Sequence, residues 1–238
     1  MTDPIKLHGF TALPRDPKVL LNGQKNIHAP TPISVDQIQV PSSPLATATH
    51  DYVKKALSPP TYAHSMRVYY YGLAIARQQF PSWEFSEETY FLACMLHDIG
   101  ATTENLRKTL MSFEFYGGVL ALHLLQSEGY GAEKDQAEAV AEAIIRHQDI
   151  GESGKITTIG QLIQLATIFD NMGGHADLVH EETIHVVTSE FPRQKWSSCF
   201  AATIREENKL KPWAHTTALG EEDFPNGVLN NRLMERYD

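Results

Sequence analysis

Four residues, His64, His97, Asp98 and Asp170, are of the types that hold a divalent metal, and each falls on the apolar face or at the end of a predicted helix. In YFLACMLHDIG, the pair His97-Asp98 closes a strongly apolar helix and is followed by Gly100. Adjacent helical residues point about 100° apart, so the two converge only on a body lying between their directions. A metal ion is such a body, taking a nitrogen from His97 and an oxygen from Asp98. Taken alone, the dipeptide reads better as a capping aspartate beside a satisfied core histidine. It does not stand alone. His64 shares a stripe with Val68, Tyr71 and Ile75 at spacings of 4, 3 and 4, which turns it toward the core. Asp170 ends IGQLIQLATIFD on the face that carries Ile163 and Ala166. A carboxylate there opposes the helix dipole, and its burial costs free energy unless a cation compensates it. A metal would supply the cation; the alternative is an acid facing solvent at a helix end.

Two further helices direct polar groups inward. In AEAVAEAIIRHQD, Val140, Ile144 and His147 align at spacings of 4 and 3, so His147 is either a structural core histidine or a group acting beside the metal. In SFEFYGGVLALHLL, Glu114 aligns with Gly118, Ala121 and Leu125. It is expected behind the ligands, accepting the free N–H of a histidine. The pair Gly117-Gly118 weakens this helix by about 1 kcal/mol per glycine relative to alanine, a cost that close approach of a neighbouring helix or of the site would explain.

The elements that must position these groups read as helices throughout. Patterning predicts them over 47–57, 62–79, 86–99, 109–128, 133–148, 156–171, 180–190 and 193–208. Breaks at Ser58-Pro59-Pro60, Phe80-Pro81-Ser82, Gly129-Tyr130-Gly131 and Gly173-Gly174 separate them, with Ser86 as a candidate N-cap. No strand run stands out. The expected fold is all-α: a proline-rich extended arm over residues 1–46, then a helical catalytic domain over 47–238 whose tail is irregular from about residue 209. Phe10, Leu13, Ile33 and Val40 could anchor the arm.

Composition narrows the class. The 238 residues carry a formal net charge of −9, with 42% hydrophobic and 21% charged residues. That suits one full core and argues against nucleic acid as the main partner. A small-molecule substrate is expected instead. Cys94 and Cys199 are too few and too far apart for a disulfide framework and read as buried free thiols in a reducing compartment. MTDPIKLHGFTALPRD lacks an apolar core of signal-peptide type, and no stretch suggests a membrane span. A cytoplasmic location, with a nuclear one also allowed, is the expectation. The apolar helix YYYGLAIA fits core or interface, so a homo-oligomer is allowed.

The order His64, His97-Asp98, Asp170 on a helical frame resembles the HD-domain metal-dependent hydrolase superfamily. The segments HSMRVYYYGLAIARQQFPSWEFS, FLACMLHDIGATTEN, MSFEFYGG, EAIIRHQD, ITTIGQLIQLATIFDNMGG, FPRQKWSSCFA and KPWAHTTALG, spread in order over residues 64–220, are similar to the fungal cyanamide hydratases. The resemblance implies hydration of cyanamide to urea and one zinc ion held by His64, His97, Asp98 and Asp170. It also places His147 against metal-bound water or substrate. Because a nitrile carbon is a modest electrophile, a metal-bound hydroxide is a fitting nucleophile. His147 is then the expected proton donor, with Asp98 as the alternative acceptor of the water's proton. Asn171 could bond the substrate amine or cap its helix, and Trp213 and His215 could close the pocket or anchor the tail.

Two other readings are kept. One is a phosphohydrolase acting on nucleotides or small phosphate esters, for which Arg67, Arg107, Lys108 and Arg146 could neutralise the phosphate, although Ala101 follows HDIG where several HD phosphodiesterases carry a lysine. The other is a binding protein that keeps the metal as a strut. Hydration of other nitriles or isonitriles is a milder variant of the first function.

Overall fold

A computed structural model describes residues 3–238. Helices α1 (Pro4–Leu7) and α2 (Pro17–Leu20) are single turns in the N-terminal arm, and a frame of larger helices follows. These are α3 (Pro44–Ala56), α4 (Pro59–Gln79), α5 (Glu87–Leu96), α6 (Thr103–Lys108), α7 (Phe113–Gln126), α8 (Lys134–Arg146) and α9 (Thr158–Met172). The chain continues through α10 (Glu181–Glu190), α11 (Trp196–Leu210) and α12 (Asp223–Leu229). Their starts are chemically determined. Ser43, Ser58, Ser86, Thr102 and Thr157 each accept a first-turn backbone N–H through the side chain, satisfying donors that the helix itself leaves unpaired. Pro44 and Pro59 occupy the first helical position, where the missing N–H costs nothing. At the far end of α9, Gly173 adopts φ +69°, a left-handed C-cap that releases the chain just beyond Asp170.

Helix α4 is the hub. It is buried without interruption from Ala63 to Ala76, so the YYYGLAIA face is core within a single chain. It packs against α5, α9, α10 and α11, while α8 joins α5, α7 and α9. One large core cluster includes Tyr69, Tyr71, Phe91, Leu92, Leu162 and Phe169. A smaller one, with Phe113, Trp196, Phe200, Ile204 and Phe224, lies under α11 and α12. The candidate site falls between the two. Gly118 meets α8 closely: a Cβ there would come within 2.5 Å of Ile145 Cγ1 and 3.0 Å of the Ala141 carbonyl. Close helix approach is thus the reason for the glycine pair.

Several expectations are corrected. The arm differs from a purely extended reading: β1 (Ala12–Pro14) pairs antiparallel with the distant β2 (Lys155–Thr157), a three-residue ladder too short to carry an alternating signal. The arm also folds onto α4, with Gln79 accepting the N–H groups of Ile27 and His28 and Tyr69 donating to the Gln39 carbonyl. Phe10 and Ile33 pack on the core, whereas Val40 is exposed. The predicted helix over 109–128 is preceded by a separate α6, and the tail contains α12 rather than irregular chain alone. Cys94 is buried and Cys199 half-buried, both free. No helix among the described residues is long and apolar enough to cross a membrane.

Gly100 is the tightest point beside the site. A Cβ there would collide with the Phe113 carbonyl oxygen and lie 2.9 Å from the Gly117 nitrogen, and rigid backbone offers no relief. Gly100→Ala is expected to cost about 1–3 kcal/mol, seen as a lowered denaturant midpoint; an unchanged midpoint would show that the α5–α7 junction yields freely.

Candidate metal centre

Helix α5 stops at Leu96, and the sequence reading that put His97 and Asp98 on consecutive helical positions is corrected here. His97 is the C-cap, and Asp98, at φ −99° and ψ 10°, opens a 3-10 turn over Ile99–Ala101. His97 keeps helical backbone angles, φ −60° and ψ −33°, the chain leaves them at Asp98, and His97 Nε2 lies 3.4 Å from Asp98 Oδ2. His64 reaches the same place from the first half of α4, and His147 from the C-cap of α8. All four groups are buried.

The three imidazoles are held in one tautomer. Nδ1 of His64 bonds Asp170 Oδ2 at 2.6 Å, Nδ1 of His97 bonds the Cys94 carbonyl at 2.7 Å, and Nδ1 of His147 bonds the Ile144 carbonyl at 2.7 Å. Each acceptor demands an N–H at Nδ1, so each neutral ring presents a lone pair at Nε2. These lone pairs face the Asp98 carboxylate. His64 Nε2 and His97 Nε2 are 3.2 Å apart, and they lie 3.8 Å and 3.4 Å from Asp98 Oδ2. His147 Nε2 is 4.0 Å from Asp98 Oδ1. Both Asp98 oxygens and His147 Nε2 are buried with no hydrogen-bond partner.

Such an arrangement fits a cation. Two lone pairs at 3.2 Å and an unpartnered carboxylate repel one another unless positive charge lies among them. Donor atoms about 2.0–2.1 Å from a tetrahedral ion stand about 3.3 Å apart, close to the spacings among His64, His97 and Asp98. These three form the metal-capable cluster. The electrostatics agree. Burial, and then the neighbouring His97, push His147 down to about 4; burial likewise pushes His64 down to about 4 against the pull of Asp170. Both rings are therefore neutral at pH 7, the form in which imidazole binds a metal. Burial also works against charge on His97 and Asp98, but their mutual attraction outweighs it, raising His97 and lowering Asp98.

Asp170 is placed differently from the sequence expectation. It lies behind the His64 ring and is not among the converging donors. Its Oδ1 accepts from Arg67 Nε and Arg193 Nη1, each at 2.9 Å, and its Oδ2 from His64 Nδ1 and Arg67 Nη2 at 2.8 Å. A buried acid at this helix end does need a cation, and two guanidinium groups meet the need. Burial would raise its pKa, yet Arg67 and Arg193 hold the carboxyl well below the usual range. The positioning that Glu114 was expected to give a ligand histidine thus falls to Asp170. Glu114 Oε1 instead takes the Nδ1 proton of His215 at 2.7 Å, fastening the tail to α7.

The remaining expectations sort by contact. Asn171 Oδ1 accepts from Trp196 Nε1 at 2.7 Å and lies inside α9, so it does not cap the helix. Trp213 is exposed and donates to the Leu110 carbonyl, an anchor of the tail and no part of the pocket. Trp196 stacks on His64 with ring centroids 4.2 Å apart. Sequence reasoning missed Arg193 and Trp196, both fully buried. A periodic pattern reports that a helix face is inward, not that an arginine in the turn before α11 will meet an acid 23 residues away. A small cavity of about 10 Å³ adjoins the centre, lined by His147, Gln148, Thr167, Asn171, Met172 and Phe224 among others. That is room for about one water-sized body.

Comparison with known proteins places this geometry. The HD domain family model matches residues 61–172, a stretch that contains His64, His97, Asp98, His147 and Asp170. Over 224 residues the chain is 42% identical to cyanamide hydratase DDI2 and to cyanamide hydratase DDI3 of Saccharomyces cerevisiae, covering 94% of this chain and 96% of each relative. The chain belongs to the cyanamide hydratase family of HD-domain proteins.

Proposed function

We propose that this protein hydrates cyanamide to urea, with one divalent metal, zinc, held by His64, His97 and Asp98 and with His147 carrying the proton. The near end-to-end relationship to two cyanamide hydratases carries the reading. The two imidazole nitrogens and the carboxylate oxygen support zinc, for which such a nitrogen and oxygen donor set is suited. A bound divalent ion would bring the pKa of water at the site toward neutrality and stabilise developing negative charge.

The chain's own residues supply the rest. His147, neutral and with Nδ1–H tied to the Ile144 carbonyl, has Nε2 free to accept a proton from the attacking water. As the oxygen bonds to the nitrile carbon, one C≡N π bond breaks toward the terminal nitrogen. That nitrogen takes the proton back from His147, giving isourea, and an oxygen-to-nitrogen proton shift then gives urea. His147 therefore starts as a base and finishes as an acid. Asp98 is the poorer base because its carboxyl is held below its ordinary range; its charge 4.0 Å away stabilises the imidazolium that forms.

The phosphohydrolase reading is disfavoured by two observations. Arg67, on the same helix as His64, is committed to Asp170 and to the carbonyls of Phe191 and Pro192. The adjoining cavity, with room for about one water-sized body, is far too small for a nucleotide. Purified protein loaded with zinc should release urea from cyanamide and no phosphate from nucleoside monophosphates; phosphate without urea would overturn the proposal. His97→Ala removes a donor from the cluster and is expected to abolish bound metal and urea release together, read by elemental analysis and a urea assay. Activity persisting without metal would exclude a metal-dependent reaction.

A further inference from the structure

Behind His64, one carboxylate faces two guanidinium groups. Asp170 receives both Arg67 and Arg193, and all three are fully buried, so this trio alone carries one positive charge in excess. It lies directly behind a metal-facing histidine, with Asp170 Oδ2 bonded to His64 Nδ1 at 2.6 Å, where a surplus cation opposes the binding of a divalent ion. A second carboxylate removes the surplus. Asp238 Oδ1 accepts from Arg193 Nε at 3.0 Å. Among the described residues, no other carboxylate pairs with either guanidinium.

The same oxygen also reaches α11. Lys195 precedes that helix at φ +61° and offers no side-chain cap, while Asp238 Oδ1 accepts the Ser197 N–H at 3.2 Å. It does from 41 residues away what an N-cap residue does. Arg193 Nη2 donates to Ser197 Oγ at 3.0 Å, so one carboxylate steadies both Arg193 and the turn that carries Trp196, which stacks on His64. Resting on the metal reading above, we propose that Asp238 is a positioning residue for the metal centre. Its charge neutralises the cluster behind His64, so that Asp170 keeps its pull on the His64 Nδ1 proton and Nε2 stays a strong donor. Partners placed behind a ligating histidine in this way set its orientation and its basicity. Asp238 does not touch the converging donors; it acts through Arg193 and Asp170.

Asp238→Asn removes the charge and keeps an oxygen for the Ser197 N–H, which separates the ion pair from the cap. Zinc affinity of the folded, metal-stripped variant, read by competition with a chromogenic chelator, is expected to fall by on the order of tenfold. Asp238→Glu should recover most of that loss. A merely structural role would lower the melting temperature of the metal-free protein and leave zinc affinity at the wild-type value, and that result overturns the proposal. Equal loss in Asp238→Asn and Asp238→Glu also overturns it, because shape rather than charge would then be the cause. Should Asp238→Asn not fold, Asp238→Ser, which likewise offers a capping oxygen, is measured in the same way. Wild-type protein that binds no zinc would overturn the metal reading itself, and this proposal with it.

Discussion

Replacing His147 with alanine is expected to lower the rate of urea formation by about 10²–10⁴-fold, the usual contribution of a positioned proton carrier, with close to one metal ion per chain retained. The expectation follows from placement. His64, His97 and Asp98 form a cluster without His147, whose Nε2 lies 4.0 Å from Asp98 Oδ1. Its ring rests against Phe113, with centroids 5.6 Å apart, and its Nδ1 is fixed by the Ile144 carbonyl, so the proton-accepting nitrogen cannot swing away. Pre-steady-state urea release and elemental analysis on the same preparation separate the outcomes. Loss of the metal from folded His147→Ala protein would make His147 a ligand. Turnover within a few-fold of wild type would remove it from the reaction.

Asp170→Asn is expected to destabilise the fold by about 3–5 kcal/mol, because it leaves two buried guanidinium groups without their counter-charge while barely changing volume. Arg67 and Arg193 are both fully buried, and each makes its charged contact with this one carboxylate, Arg193 reaching Asp238 as well. For a chain of this size the loss corresponds to a fall in Tm of about 6–20 °C. The pH dependence has a definite sign. Folding depresses the Asp170 pKa, so its stabilisation is complete above the unfolded value of about 3.9 and is lost as pH falls toward the folded one. Wild-type stability should therefore drop in acid below about pH 4, and the variant's profile should be flatter there. A variant that melts with wild type would show the charge cluster to be dispensable. If folded Asp170→Asn protein lost its metal while His64, His97 and Asp98 stayed intact, Asp170 would be restored as a ligand.

Much of the site was legible because burial has a period. The spacings of 4 and 3 that align His64 with Val68 and Tyr71, and His147 with Val140 and Ile144, state which way those rings turn whatever the helices pack against. The apolar run before His97 and the glycine after Asp98 likewise announce an inward end of a helix. The serine and proline caps of α3, α4 and α5 are local chemistry and could be read directly. The fold class followed, as did a pair of acidic and imidazole groups in a core where only a cation makes them tolerable.

What only the tertiary structure decided was which buried group meets which. The sequence shows Asp170 to be an inward acid at a helix end, but two arginines and a metal are equivalent answers to that need. The choice depends on Arg67 and Arg193 arriving from α4 and from the turn before α11. Nor can periodicity show where α5 ends, since helix ends depend on what packs around them. The structure brings His64, His97, Asp98 and Asp170 close together. Their division into three metal-facing groups and one acid behind His64 comes from distances across the core, between residues 33 to 106 positions apart, which no local pattern encodes.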